Sequence, residues 1–141
     1  MPSNADVGWA ADTSFAIAAL DEAHEAHPIC RKVARARRPA LAGYASFETF
    51  SVLTRLPGAS TVTPVTAGAL LDRAFPERSW LTPKQHDALL RRLPQLGVAG
   101  GMVYDALVGE SARVASRTLL TRDRRAQRTY EAIGVRFEFV E

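Results

Sequence analysis

Four acidic residues, Asp12, Glu48, Asp105 and Asp123, lie far apart in the chain, each among apolar neighbours. Two close short apolar runs, VGWAAD at Asp12 and TLLTRD at Asp123. The other two fall in helix-like stretches, SFETFSVLTRL and GGMVYDALVGESA. A carboxylate turned into an apolar interior is costly unless it is paired or holds a metal. No matching set of lysines accompanies these four. The set therefore suggests a site for a hard cation, which takes oxygen ligands. His24, His27 and His86 are not spaced like a structural zinc site, and no cysteine cluster supports one.

The basic residues are the second chemical signal. Of 18, only Lys32 and Lys84 are lysines, and the arginines cluster in RKVARARR (31–38) and RDRRAQR (122–128). Arginine binds phosphate in two-pronged fashion. The pattern suits a polyanionic partner, and equally a plain bias toward arginine and alanine. The first cluster reads as the exposed face of a helix. The second surrounds Asp123, which ties it to the acids.

Val7–Ala11 reads as a short buried strand. Asp12-Thr13-Ser14 can end it and cap a helix from Phe15 to about Ala26. Pro28 opens a second helix that stops before Pro39. Ala40–Tyr44 reads as a strand and Ser46–Leu56 as a helix, stopped by Pro57-Gly58. After a loop (59–64), a helix covers Thr66–Phe75 and a short strand Arg78–Leu81. Thr82-Pro83 starts a helix that stops near Pro94 or Gly97, and Gly100-Gly101 precede one over Met102–Ser116. Thr118–Thr121 is a strand, Arg124–Ile133 a helix ended by Gly134, and Val135–Val140 a last strand. This alternation predicts an α/β fold with a central, largely parallel sheet flanked by helices. In such sheets ligands bind at the carboxyl ends of the strands, where Asp12 and Asp123 fall.

The bulk numbers agree. The chain of 141 residues is 47% hydrophobic and 23% charged, which predicts a single domain over 1–141. Its net charge of +3 is a modest basic excess. No apolar run nears the roughly 18 residues of a membrane span. The start, MPSNADVGWAAD, lacks the basic and apolar regions of a secretory leader. The expectation is a cytoplasmic protein with no membrane partner. Cys30, the sole cysteine, excludes an internal disulfide and reads as a small buried hydrophobe.

In ADTSFAIAAL (11–20), SFETFSVLTRL (46–56), GGMVYDALVGESA (100–112) and LLTRDRRA (119–126) the chain resembles the PIN-domain ribonucleases of the VapC type, toxins of bacterial toxin–antitoxin pairs. Each segment alone is weak, and it is their combination and order that carry the resemblance. It implies a PIN-like fold and an endoribonuclease dependent on Mg²⁺ or Mn²⁺. It also implies a homodimer held inactive by a cognate antitoxin protein. Asp12, Glu48, Asp105 and Asp123 match the family's acidic positions, with Thr13, Ser14 and Thr121 as supporting polar residues. Asp12 and Asp105 would be direct metal ligands. Asp123 would complete the shell or help hold a second ion, and Glu48 would bind metal through water or orient the attacking water. Arg122, Arg124, Arg125 and Arg128 would contact RNA phosphates. One departure stands out. Where the family often has small apolar residues after YDAL, this chain has Val108-Gly109-Glu110-Ser111. Gly109 weakens the helix by about 1 kcal/mol relative to alanine, and Glu110 reads as a solvated residue.

Taken singly, each acid has a plainer reading: Asp12 as a helix cap, Glu48 as an exposed helix residue, Asp105 and Asp123 as partners of arginines or backbone. Only their joint occurrence favours a site. A catalytically inactive PIN-fold binding module is an alternative that the presence of all four acids argues against. A phosphoacceptor receiver-like domain would need adjacent acids in the first segment and a late lysine, both missing. A two-carboxylate glycosidase fits poorly, since the pattern shows no aromatic-lined sugar cleft.

Overall fold

The computed structural model describes residues 8–141. Its sheet has five strands, all parallel, in the order β3-β2-β1-β4-β5. These are β1 (Trp9–Ala11), β2 (Ala40–Ala42), β3 (Arg78–Ser79), β4 (Thr118–Thr121) and β5 (Phe137–Phe139). Seven helices connect and cover them: α1 (Thr13–Leu20), α2 (His27–Arg37), α3 (Ala45–Leu53), α4 (Pro64–Ala74), α5 (Pro83–Leu96), α6 (Met102–Val114) and α7 (Gln127–Ile133). The expected α/β architecture is what forms. The central strands carry small or branched apolar residues, and Ala10, Ala11, Leu41, Ala42, Leu119 and Leu120 are all fully buried. Strands covered on both faces have that composition. Phe15, Phe75, Tyr130 and Ile133 pack around them.

The boundaries differ from expectation for local reasons. Val7 lies outside the described residues. α1 ends at Leu20 rather than Ala26, because the next residues bond to themselves. Asp21 Oδ1 accepts from the Ala23 N–H at 3.0 Å, and His24 Nδ1 from the Ala26 N–H at 3.0 Å. Side chains that bond the nearby backbone compete with helix in this way. α5 runs through Pro94 and ends at Gly97, in left-handed conformation. Its start is a full capping box between Thr82 and Gln85. The segment after Asp123 opens as a 3-10 turn (Arg124–Ala126) before α7. The strands expected over Ala40–Tyr44, Arg78–Leu81 and Val135–Val140 are each shorter.

Glu110 is a correction. It is not solvated but 3% exposed. Arg113 Nε donates to it at 2.5 Å, and Arg92 Nη1, reaching over from α5, at 3.0 Å. Arg92 also bonds the Ile133 carbonyl at 3.5 Å, so one carboxylate ties α5, α6 and the end of α7 together. Burial alone would raise the Glu110 carboxyl; its two arginines hold it below its usual value. Periodicity cannot find such a residue, because its burial is made by partners 18 residues back and three ahead.

Candidate active site

β1 and β4 lie side by side at the centre of the sheet, with β2 beyond one and β5 beyond the other. This is the topological switch point, where α/β sheets open a crevice at their carboxyl edge. Asp12 follows β1 and Asp123 follows β4. Asp12 caps α1, its Oδ1 accepting from the Phe15 N–H at 3.0 Å and the Ser14 hydroxyl at 2.6 Å. Its Oδ2 accepts from the Thr121 hydroxyl at 2.5 Å and the Tyr130 hydroxyl at 2.9 Å. The cap reading of Asp12 thus holds. A carboxylate offers about four lone-pair sites, so all those of Asp12 are in use. Asp12 is 3% exposed, and burial raises its carboxyl against the pull of these four donors.

The supporting polar residues form the frame around it. The Thr121 hydroxyl donates to Asp12 and accepts from the Asp123 N–H at 3.0 Å. The Ser14 hydroxyl accepts from the Arg122 N–H at 2.8 Å. The turn after β4 is thereby fastened to the start of α1, and Asp123 is set beside Asp12. Thr13 donates to Glu48 Oε1 at 3.0 Å, drawing α3 to the same edge. Gly43 lets α3 enter there, since a Cβ on it would sit 2.9 Å from both the Ser79 carbonyl oxygen and the Ser111 hydroxyl.

Glu48 and Asp105 each lie in the first turn of a helix, α3 and α6. Negative charge is favoured at that end by the helix dipole. Burial raises the Glu48 carboxyl, and the Asp12 charge adds to the effect. Asp105 moves furthest, pushed up to about 6 by burial and then by the charges of Asp123, Glu48 and Asp12, against a small pull from Arg125. The charges of Asp123, Glu48 and Asp12 thus each act on Asp105. As placed, no three acidic, histidine or cysteine side chains among the described residues stand close enough to share one ion. Each of the four acids is a hard oxygen donor, the type of ligand a divalent cation takes.

The arginines beside Asp123 divide by role. Arg122 Nη1 donates to the Val140 carbonyl at 2.7 Å, and Arg124 pairs with Glu141 and lies 4.2 Å over the Phe139 ring. These two fasten the C-terminal strand. Arg125, whose side chain is 95% exposed, reaches Asp123 at 3.5 Å. Arg128 is exposed with no ion-pair partner among the described residues. A cavity of about 830 Å³, lined in part by Arg31, Arg35 and Arg38, lies by Leu20, Pro39 and Pro76, apart from the four acids. Tyr130 is the functional-site residue that sequence reasoning missed. Its place in α7 looks like ordinary core, and only its contact with Asp12, 118 residues away, marks it out.

No protein-family model matches the chain. Two relatives from Mycobacterium tuberculosis do, over nearly their whole length. Ribonuclease VapC27 is 44% identical over 126 residues, which cover 89% of this chain and 92% of the relative. Ribonuclease VapC40 is 40% identical over 132 residues, covering 93% of this chain and 98% of the relative. With that likeness over nearly the whole of both relatives, and an all-parallel α/β sheet, the chain belongs to the VapC family of PIN-domain ribonucleases.

Proposed function

We propose that this chain is the toxin component of a toxin–antitoxin pair and cuts RNA as a Mg²⁺- or Mn²⁺-dependent endoribonuclease. The observation that carries this reading is the likeness to two VapC ribonucleases over nearly the whole chain, and beside it burial and the charges of three other acids raise Asp105 to about 6. That repulsion is what a divalent cation relieves. Asp105, Asp123 and Asp12 would hold the ion, with Glu48 acting through water. When bound, the ion supplies charge for the phosphoryl oxygens and a more acidic water. The chain's own residues do the rest. Glu48, steadied by Thr13, orients the attacking water, and Thr121 and Ser14 keep Asp12 and the Asp123 turn in register. Arg125 and Arg128 meet substrate phosphates, which positions the strand without reading its sequence.

The partners follow from the same reading. The acidic floor and arginine rim suit a cognate antitoxin that offers its own basic residue to the carboxylates. Phe47 and Trp80 are 67% and 53% exposed and meet edge to face at 5.9 Å. They support association with a second copy. Among the described residues no helix is long and apolar enough to cross a membrane. The 141 residues act as one domain in the cytoplasm, with buried Cys30 as a free thiol.

The test is expression without the antitoxin, with RNA ends sequenced. Wild type should arrest growth and generate new ends that depend on divalent metal. Asp105→Asn, folded and equally abundant, should do neither. Equal toxicity and equal cleavage by that variant would overturn the reading.

A further inference from the structure

We infer that Tyr130 competes with the cation for Asp12, and that Gly109 is the opening that lets it do so. This rests on the nuclease reading and deepens it. Four donors fill the lone-pair sites of Asp12, so a direct contact with an ion requires one of them to withdraw. Three are committed elsewhere. The Phe15 N–H is part of the α1 cap. The Ser14 hydroxyl also accepts from the Arg122 N–H, and the Thr121 hydroxyl from the Asp123 N–H. Withdrawing any of these undoes the start of α1 or the turn that carries Asp123. The Tyr130 hydroxyl, at 2.9 Å from Oδ2, is the one donor whose release leaves that frame intact.

Gly109 belongs to the same device. A Cβ on it would stand 3.2 Å from Tyr130 Cδ1 and 3.5 Å from Val135 Cγ1, tighter than ordinary contact on the ring side. The missing side chain, a loss to α6 as a helix, is what admits the ring at the depth where its hydroxyl reaches Asp12. Tyr130 is a positioning residue that acts through Asp12. It closes the carboxylate when no ion is present and sets the threshold for loading.

The experiment titrates the whole metal-free protein with Mn²⁺ alone and reads free ion by electron paramagnetic resonance. Thermal unfolding is followed in parallel. Tyr130→Phe should bind Mn²⁺ about tenfold more tightly, the order of one hydrogen bond to a charged group, while unfolding at a lower temperature without metal. Gly109→Ala, which pushes the ring and keeps the hydroxyl, should tighten binding in the same direction by less, and it carries the test alone if Tyr130→Phe fails to fold. The double variant should bind no more tightly than Tyr130→Phe, because both changes act through one bond. A purely structural tyrosine lowers stability and does not tighten metal binding. Unchanged or weaker Mn²⁺ affinity in Tyr130→Phe, with Asp105→Asn having lost binding, would overturn the proposal and spare the nuclease reading. Wild-type Mn²⁺ binding that Asp105→Asn leaves unchanged would overturn both.

Discussion

At the residue scale the site is governed by charge held in partial burial, and its pH behaviour follows. The Asp105 carboxyl stands at about 6 against an ordinary 3.8. A group raised on folding leaves its share of stability intact below the ordinary value, and that share is lost as pH rises through about 6. The metal-free protein should therefore weaken across that window. Asp105→Asn removes the buried charge and, with it, the repulsion from Asp123, Glu48 and Asp12. Since the group is only partly buried, about 1 kcal/mol remains after discounting for solvent screening. The variant should unfold about 3–5 °C higher near pH 7, with no gain near pH 4, as scanning calorimetry at the two pH values would show. A higher wild-type midpoint near pH 7 would contradict it. This scale was the most legible in the sequence. All four acids stood out because they sit beside apolar runs, and Thr13, Ser14 and Thr121 because they adjoin them. Tyr130 did not, because nothing local distinguishes a tyrosine that packs from one that also donates a bond across the fold.

At the element scale, two residues set where helices enter. Gly43 is one, since any side chain there meets the Ser79 backbone oxygen at 2.9 Å. Gly43→Ala should destabilise by about 1–3 kcal/mol, the usual result of overpacking. It should also lower cleavage beyond its effect on stability, because α3 carries Glu48; denaturant curves and single-turnover rates would separate the two. Glu110 is the other. Its carboxyl is held below its usual value by Arg113 and Arg92. The stability it supplies is present above the ordinary value of 4.5 and is lost as pH falls through its lowered folded value. Glu110→Gln should therefore cost about 1–3 kcal/mol near neutral pH and progressively less in acid, measured by urea unfolding. The order of elements was readable because breakers such as Pro39, Pro57 and Gly134 mark real ends. The end of α1 was not, because His24 and Asp21 stop it through bonds that composition does not announce. Glu110 was misread for the same reason: its partners come from other turns and another helix.

At the scale of the whole molecule, the excess of three positive charges is small, so RNA attraction depends on where the arginines point. Arg122 and Arg124 are committed to the C-terminal strand. On the proposed reading, Arg125 and Arg128, both exposed, would meet phosphates. Arg125→Gln with Arg128→Gln should weaken RNA binding most at low salt, and lower the slope of log affinity against log salt by about 2. A slope equal to wild type in a filter-binding series would show that the pair is only solvated. The central position of β1, beside β4, has a further consequence for how the chain is made. The bond between Thr121 and Asp12 spans 109 residues, and that between Tyr130 and Asp12 spans 118. Synthesis runs from the N-terminus, so Asp12 and Glu48 emerge long before Asp105 and Asp123 exist. A nascent chain carries Asp12 without the Thr121 and Tyr130 hydroxyls that later bond it. The ribosome that makes this protein has all four acids in hand only once residue 123 has been added.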